Sequence, residues 1–328
     1  MLAENSIAVV VPAFNEEKLI GRVLETMPAF VDLVVVVDDC SRDSTTARVQ
    51  EFIDSNRGEY RLILHTLEQN QGVGAAITAG YKIAVEEEAD AIAVMAGDAQ
   101  MDPDELERVV GPIVRNEADY VKGNRLFTGE AWTQIPRHRY LGNAFLSLLT
   151  KIASGYWHVA DSQTGYTAIS REALETLPLD QLYKRYGYPN HLLVMLNVYN
   201  FRVMDVPVRP VYNIGEVSGI RLHKVIPTLS WLLLKTFLWR LKERYIIRDF
   251  HPLVFFYLLG MALFAPGTLF GLWLVAYRLL IDSVSATSAL FAVFLATSGL
   301  QLLLFAMWFD MENNRDLCVR LKMWETHQ

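Results

Sequence analysis

The chain is short of cysteine, short of positive charge, and without charge of either sign over two long stretches near its C-terminal end. Cys40 and Cys318 are the two cysteines among 328 residues, too few and too separated for a disulfide framework or a cysteine metal site, so a reducing compartment suits the chain. Lys and Arg number 30 against 37 Asp and Glu, a formal net charge of -7. A general nucleic-acid binder needs a basic footprint to displace counterions, and nucleic acid is therefore set aside as a partner. The opening MLAENSIAVVVPAFNEE has no basic region before its apolar stretch and does not read as a secretory signal. The histidines His65, His138, His158, His191 and His251 are scattered one at a time, with no metal-ligand spacing.

The uncharged stretches run from Leu253 to Tyr277 and from Val284 to Phe309. Each exceeds the roughly 20 residues that a helix needs to cross a bilayer, which predicts two transmembrane helices. Pro266 and Gly267 are tolerated in such a span where neighbouring groups satisfy the backbone. Two core helices of a soluble protein, the alternative, would normally carry a polar face. Lys242, Arg244 and Arg248 precede the first span and Arg315, Arg320 and Lys322 follow the second, whereas Arg278 in the connection is offset by Asp282. The positive-inside rule then puts both termini on the cytoplasmic side of a cell membrane or endomembrane. Lys224 to Tyr245, KVIPTLSWLLLKTFLWRLKERY, mixes Trp, Leu and Phe with spaced basic residues, as a helix lying among headgroups would, the alternative being an amphipathic helix packed on the soluble domain. The expected organisation is a soluble domain over 1–220, an amphipathic interface segment over 221–250, two spans within 251–310 and a cytoplasmic tail over 311–328.

Within the soluble part, Ile7 to Pro12, Leu33 to Val37, Arg61 to His65 and Ala91 to Met95 are short runs that read as strands, mostly buried on both faces. Glu17 to Met27 and Ser44 to Ile53 suit helices between them, which makes a doubly wound α/β sheet. Ligands collect at the carboxyl ends of such strands, where Asn15, Asp38, Asp39 and Asp98 fall. A single carboxylate there serves equally as a helix cap or turn residue; the convergence is what suggests a site. The stretch NQGVGAAITAG from Asn70 to Gly80 lacks the Lys-Ser/Thr ending of a P-loop and does not have GxGxxG spacing, so it is not a nucleotide fingerprint of either kind.

Taken in order, VVVPAFNEE (Val9 to Glu17), VVVDDCSRDST (Val35 to Thr45), NQGVGAAITAG, GDAQMDP (Gly97 to Pro103), KGNR (Lys122 to Arg125) and DSQTGYTAIS (Asp161 to Ser170) resemble the family 2 glycosyltransferases over residues 7–220. With its two terminal spans the chain looks like the polyprenyl-phosphate hexosyltransferases of that family, the group of the dolichyl-phosphate mannose and glucose synthases. The resemblance implies a GT-A fold. It also implies inverting transfer of a hexose from a nucleotide sugar (GDP-mannose, UDP-glucose or UDP-N-acetylglucosamine) to a polyprenyl phosphate, dolichyl or undecaprenyl, with Mg²⁺ or Mn²⁺. A divalent cation with oxygen ligands would neutralise the departing diphosphate, and the resemblance gives Asp98 and Gln100 that task. Related enzymes usually read Asp-x-Asp-x-Gln here, and Ala96 stands where the first Asp would be.

By the same resemblance Pro12, Ala13, Asn15, Glu16 and Asp39 line the nucleoside pocket, Asp39 accepting a hydrogen bond from base or ribose. Arg221, just before the membrane-proximal helix, is a candidate for the donor diphosphate, and the resemblance implies a place for Asp161 near the metal or the acceptor. Thr167 departs from the Lys or Arg common at that place. Arg125, Arg139 and Arg137 are candidates for the acceptor phosphate, since a guanidinium forms bidentate bonds to it; ion pairing or surface solvation is their other use. A phosphate monoester is ionised at neutral pH, so the nucleophile needs positioning more than deprotonation. Two alternatives stand beside this reading. A glycan or polysaccharide acceptor is one, although Gln134 to His138, QIPRH, lacks the Trp of the Gln-x-x-Arg-Trp motif and precedes Asp161. A non-catalytic membrane sugar-binding scaffold, suggested by Ala96, is the other. The sequence is compatible with a homo-oligomer and does not select the sugar.

Overall fold

The computed structural model describes residues 2, 5–55, 58–126, 137–209, 211 and 222–320, without the side chains at 137–141, 143 and 222–224. The chain forms two compact units, Met1–Phe237 with Asp316–Gln328, and Leu238–Arg315.

The first unit is built on a mixed, mostly parallel sheet. In chain order its strands are β1 (Ile7–Ala13), β2 (Leu33–Asp38), β3 (Arg61–Thr66), β4 (Ala91–Val94), β5 (Tyr120–Asn124), β6 (Thr167–Ser170), β7 (Val203–Pro207) and β8 (Cys318–Val319). They lie side by side in the order β3-β2-β1-β4-β6-β5-β7-β8. β6 alone runs antiparallel to its neighbours β4 and β5. β1 and β2 are buried along their whole length, which is why both read as unbroken apolar runs rather than alternating ones. Their register pairs Val9 with Val34 and Val11 with Val36, and these side chains share one core with Val49, Ala93, Leu106 and Val109.

The helices between strands include α1 (Ile20–Glu25), α2 (Thr45–Asp54), α3 (Val73–Glu86) and α4 (Leu106–Val114). After β5 come α5 (Arg137–Ser154), α6 (Arg171–Thr176) and α7 (Tyr188–Val198). α3 lies close on β1 because Gly80 has no side chain: a Cβ there would sit 2.3 Å from Val10 Cγ1. α1 starts three residues later than the pattern suggests. The backbone N–H groups of Glu16 and Glu17 donate to Thr45 Oγ1 (2.8 Å) and Asp43 Oδ2 (3.2 Å), so this stretch is held as a turn against the β2–α2 loop. Within 311–328, β8 pairs in parallel with β7, Val203 opposite Cys318 and Met204 opposite Val319.

α8 (Leu222–Lys242) runs on into a turn of π-helix over Glu243–Arg248. The second unit then contains α9 (Leu253–Leu280) and α10 (Ala286–Asn313), each of 28 residues. At 1.5 Å per residue each is about 42 Å long, more than the roughly 30 Å of a bilayer core. Both are long and apolar enough to cross a membrane. Leu269, Trp273, Leu280, Phe294 and Trp308 are exposed on them, unlike the side chains of a soluble core helix. The two cross closely at small residues: a Cβ on Gly267 would meet Ala296 N at 2.6 Å, and one on Gly299 would meet Phe264 N at 2.3 Å. α9 continues unbroken through Pro266.

Replacing Gly80 with Ala should destabilise the sheet unit by about 1–3 kcal/mol, the usual cost of overpacking a filled core. Thermal denaturation of the detergent-purified protein measures it, and an unchanged midpoint would show that α3 is not held against Val10.

Candidate active site

Three neighbouring strands end in tight turns. Asn15 after β1, Cys40 after β2 and Ala99 after β4 all have left-handed backbone, with φ of 58°, 61° and 55°. A non-glycine residue held there costs on the order of 1–3 kcal/mol, so surrounding bonds must fix the turns. Those bonds are present. Asn15 N–H donates to Ser41 Oγ (2.9 Å) and its Oδ1 accepts from Arg42 N–H (2.9 Å), which ties the β1 turn to the β2 turn. Asp39, almost wholly buried, accepts from Gln71 N–H (2.7 Å) through one oxygen and from Gly72 N–H (2.8 Å) through the other. Its carboxylate therefore anchors the loop entering α3.

These turns surround a cavity of about 600 Å³ lined by Pro12, Ala13, Asn15, Glu16, Asp39, Asp43, Ala96 and Asp98 among others. The five residues expected in a nucleoside pocket, Pro12, Ala13, Asn15, Glu16 and Asp39, are thus brought together with Asp98. Burial, then the nearby Asp98 and Asp43 carboxylates, push Glu16 up to about 7. Asp43 goes the other way: against the cost of burial, bonds from the Thr45 hydroxyl and from the Thr45 and Glu17 N–H groups hold it below the usual carboxylate range. Gln100 is not in the lining; its N–H donates to Asp98 Oδ1 (3.1 Å) and helps fix that side chain.

Among the described residues no three His, Cys, Asp or Glu side chains converge as a cation cage. The donor set nevertheless fits a magnesium-type ion. Such an ion binds oxygen, takes one or two protein carboxylates and completes its shell with water and substrate phosphates, and Asp98 presents a carboxylate in a cavity with room for a diphosphate.

Arg125 and Asp161 belong to a separate buried cluster. Arg125 Nε and Nη2 donate to the two Asp161 oxygens at 2.7 and 3.2 Å. Lys122, fully buried, donates to Thr164 O (2.6 Å), and Asn124 Nδ2 donates to Asp205 Oδ2 (2.7 Å). Against the cost of burial, Arg125 and Lys122 hold Asp161 below the usual carboxylate range. Burial pushes Asp205 up to about 7 and pulls Lys122 down to about 8. Tyr166, on the segment that follows Asp161, donates its OH to Asp102 O (2.8 Å) in the loop after Asp98. Arg137 and Arg139 begin α5, but their side chains, and the whole of Arg221 and Gln134, lie outside the described residues.

Lys18, Asn70, Arg185 and Tyr186 also line the cavity and were not anticipated. Arg185 and Tyr186 carry no motif. Gly72, beside Arg185, and Gly74, beside Tyr183 and Lys184 of the same turn, lie more than a hundred positions earlier, so only the fold reveals these residues.

The model of glycosyl transferase family 2 matches residues 8–177. A UDP-N-acetylglucosamine–dolichyl-phosphate N-acetylglucosaminyltransferase of Methanococcus voltae is 31% identical over 64% of this chain and 88% of its own length. An undecaprenyl-phosphate mannosyltransferase of Micrococcus luteus is 28% identical over 68% of this chain and 92% of its own. The crystal structure of glucosyl-3-phosphoglycerate synthase from Mycobacterium tuberculosis with Mg²⁺ and uridine diphosphate superposes with a TM-score of 0.51 at 22% identity, covering 73% of this chain and 80% of that one. At that identity the likeness is one of fold.

The buried Asp205 yields a pH prediction. Its folded-state pKa is raised, so its contribution to stability is complete at acid pH and is lost as pH rises towards and through about 7. Between pH 5 and 8 the melting temperature should fall by a few degrees from this source, and Asp205→Asn should flatten that part of the curve. An equal slope in the variant would mean that Asp205 is already ionised at pH 5.

Proposed function

The chain belongs to glycosyl transferase family 2 and is a glycosyltransferase, and on that premise we propose that it moves a hexose from a nucleotide sugar to a polyprenyl phosphate at a membrane face. The observation that carries this reading is the presence, in one chain, of an acidic cavity of donor size and of two long helices with exposed apolar surfaces. A soluble acceptor requires only the first. The names of the relatives from Methanococcus voltae and Micrococcus luteus, each a transferase to a lipid-linked phosphate, support it further.

The hairpin bears on topology. The chain leaves the sheet unit ahead of Leu238 and re-enters it to form β8. That both ends of the α9–α10 segment join the sheet unit in sequence supports the reading that the two helices cross together. The basic flanks support a cytoplasmic position for the sheet unit. In this reading 221–250 seats the sheet unit on the headgroups; Trp231, Leu234 and Leu238 on α8 are exposed and suited to that contact.

Pro12, Ala13, Asn15 and Glu16 would hold the nucleoside, with Asp39 supporting the pocket through the Gln71–Gly72 loop. Asp98, with Gln100 fixing its orientation, would hold Mg²⁺ or Mn²⁺, which supplies charge neutralisation for the departing diphosphate when bound. Arg221 would meet that diphosphate from the segment before α8. Arg125, Arg137 and Arg139 would bind the acceptor phosphate, Arg125 acting from its anchored position on Asp161. No histidine lies among the described lining of the cavity, which suits a nucleophile that arrives ionised. An acceptor phosphate oxygen attacks the anomeric carbon as the bond to the donor's β-phosphate oxygen breaks. Configuration is inverted, and the nucleoside diphosphate leaves.

The test supplies labelled UDP-N-acetylglucosamine, UDP-glucose and GDP-mannose in turn, with a short polyprenyl phosphate and Mg²⁺. Label from one donor should enter the organic phase and be released by mild acid. Asp98→Asn should lower turnover by on the order of 100-fold or more, as expected where a cation contributes several kcal/mol. Label found only in water-soluble glycan would replace the lipid acceptor with a saccharide.

A further inference from the structure

Among the described residues lining the cavity, carboxylates outnumber cations, and the cations are Lys18 and Arg185. Most of the carboxylates are already engaged: Asp39 by two backbone N–H groups, Asp43 by Thr45 and by Glu17 N–H, and Glu17 by Ser44 N–H (3.1 Å). A nucleoside diphosphate brings several negative charges into this space. A divalent cation offsets part of them, and the remainder calls for a protein cation placed at the cavity.

Arg185 is placed there by backbone rather than by chance exposure. The 183–187 turn lies against the start of α3. Ala75 N–H donates to Lys184 O (3.1 Å), Tyr188 N–H donates to Arg185 O (3.0 Å), and Tyr183 N–H donates to His191 Nδ1 (3.1 Å). Two glycines make the approach feasible. A Cβ on Gly74 would lie 2.2 Å from Tyr183 O; one on Gly72, whose φ is 99°, would lie 2.7 Å from Lys184 O and 3.0 Å from Arg185 Cγ. The stem of Arg185 is thereby held beside Gly72, on the α3 side of the cavity, while its side chain stays exposed and forms no ion pair with a described residue.

We propose that Arg185 is a donor-binding residue whose guanidinium grips the diphosphate of the nucleotide sugar, with Gly72 and Gly74 as the positioning residues that bring it to the cavity. The inference rests on the donor-site reading above and adds to it the residue that neutralises the phosphates from the α3 side. A planar guanidinium forms paired, charge-assisted bonds to phosphate oxygens that an ammonium cannot reproduce. Because the diphosphate gains charge as the sugar leaves, the same contact strengthens along the reaction.

Calorimetric titration of the full-length protein in detergent with Mg²⁺ tests this, using UDP, GDP and the corresponding free nucleosides as probes. The nucleoside diphosphate that binds the wild type should bind Arg185→Met at least tenfold more weakly, and Arg185→Lys at an intermediate strength. Binding of the free nucleoside should be the same in all three proteins, which a general disturbance of the cavity would not allow. Gly74→Ala, which displaces the turn without touching the guanidinium, should weaken the diphosphate and spare the nucleoside in the same way. Undiminished diphosphate affinity in Arg185→Met, or equal loss of nucleoside and diphosphate, overturns the assignment while leaving the donor site standing. Absence of binding by UDP and GDP to the wild type overturns both.

Discussion

Glu16, Asp43 and Asp98 are brought close enough in a partly buried cavity for each of the latter two to oppose ionisation of the first, and the site's other features answer to that electrostatic constraint. Like charges under reduced solvation repel strongly, so they are stable together only where hydrogen bonds, protons or cations balance them. The loops supply the first of these. Thr45 and the backbone at Glu17 satisfy Asp43, and the loop before α3 satisfies Asp39. Glu16 and Asp98 line the same cavity, and in the proposed reading their charge disfavours a bare diphosphate and favours one that enters with a divalent cation. The proposed metal site and the proposed role of Arg185 are two answers to the same charge imbalance.

A second polar cluster holds the other unit together. Arg240 and Asp310 are both fully buried, and Arg240 Nη2 and Nη1 donate to the two Asp310 oxygens at 2.7 and 3.1 Å. Tyr245 OH donates to Asp310, and Asn314 Nδ2 donates to Asp310 Oδ1 (2.9 Å). Burying an ion pair is costly, and it is tolerated when further bonds satisfy both partners, as they do here. Losing one partner of such a pair typically costs about 3–5 kcal/mol, so the cluster specifies geometry more than it adds stability. It links the end of α8 and the π-helical turn to the end of α10. The end of the proposed interface segment and the end of the proposed second span are therefore fixed to one another.

What could be read in the sequence follows from how local each signal is. β1, β2 and β4 were visible because strands buried on both faces must be continuously apolar, and the polar residues that end them marked the site without any structure. The two long helices were visible for a related reason: an apolar environment excludes charge over their full length. The start of α1 was misplaced because Glu16 and Glu17 send their N–H groups to side chains near residue 45, a tertiary choice that helix propensity does not encode. Asp39 is expected to meet a base or ribose, and it lines the cavity; that both its oxygens also accept backbone N–H groups of the next loop is a tertiary feature with no signal in the sequence. The Arg125–Asp161 pair, β8 and Arg185 share one obstacle. Each depends on a partner brought in by the fold from 36 to more than a hundred residues away, and a two-residue strand such as β8 has no periodicity to detect.

The claim on which the account turns is that the acidic cavity takes a nucleoside diphosphate together with a divalent cation held by Asp98. Electron paramagnetic resonance of Mn²⁺ reads this without turnover. Mn²⁺ should remain largely free when mixed with the protein alone and become bound, one per chain, when UDP or GDP is added. The same additions to Asp98→Asn should leave the free-ion spectrum nearly unchanged. Equal Mn²⁺ binding by the variant, or binding that ignores the nucleotide, would contradict the account.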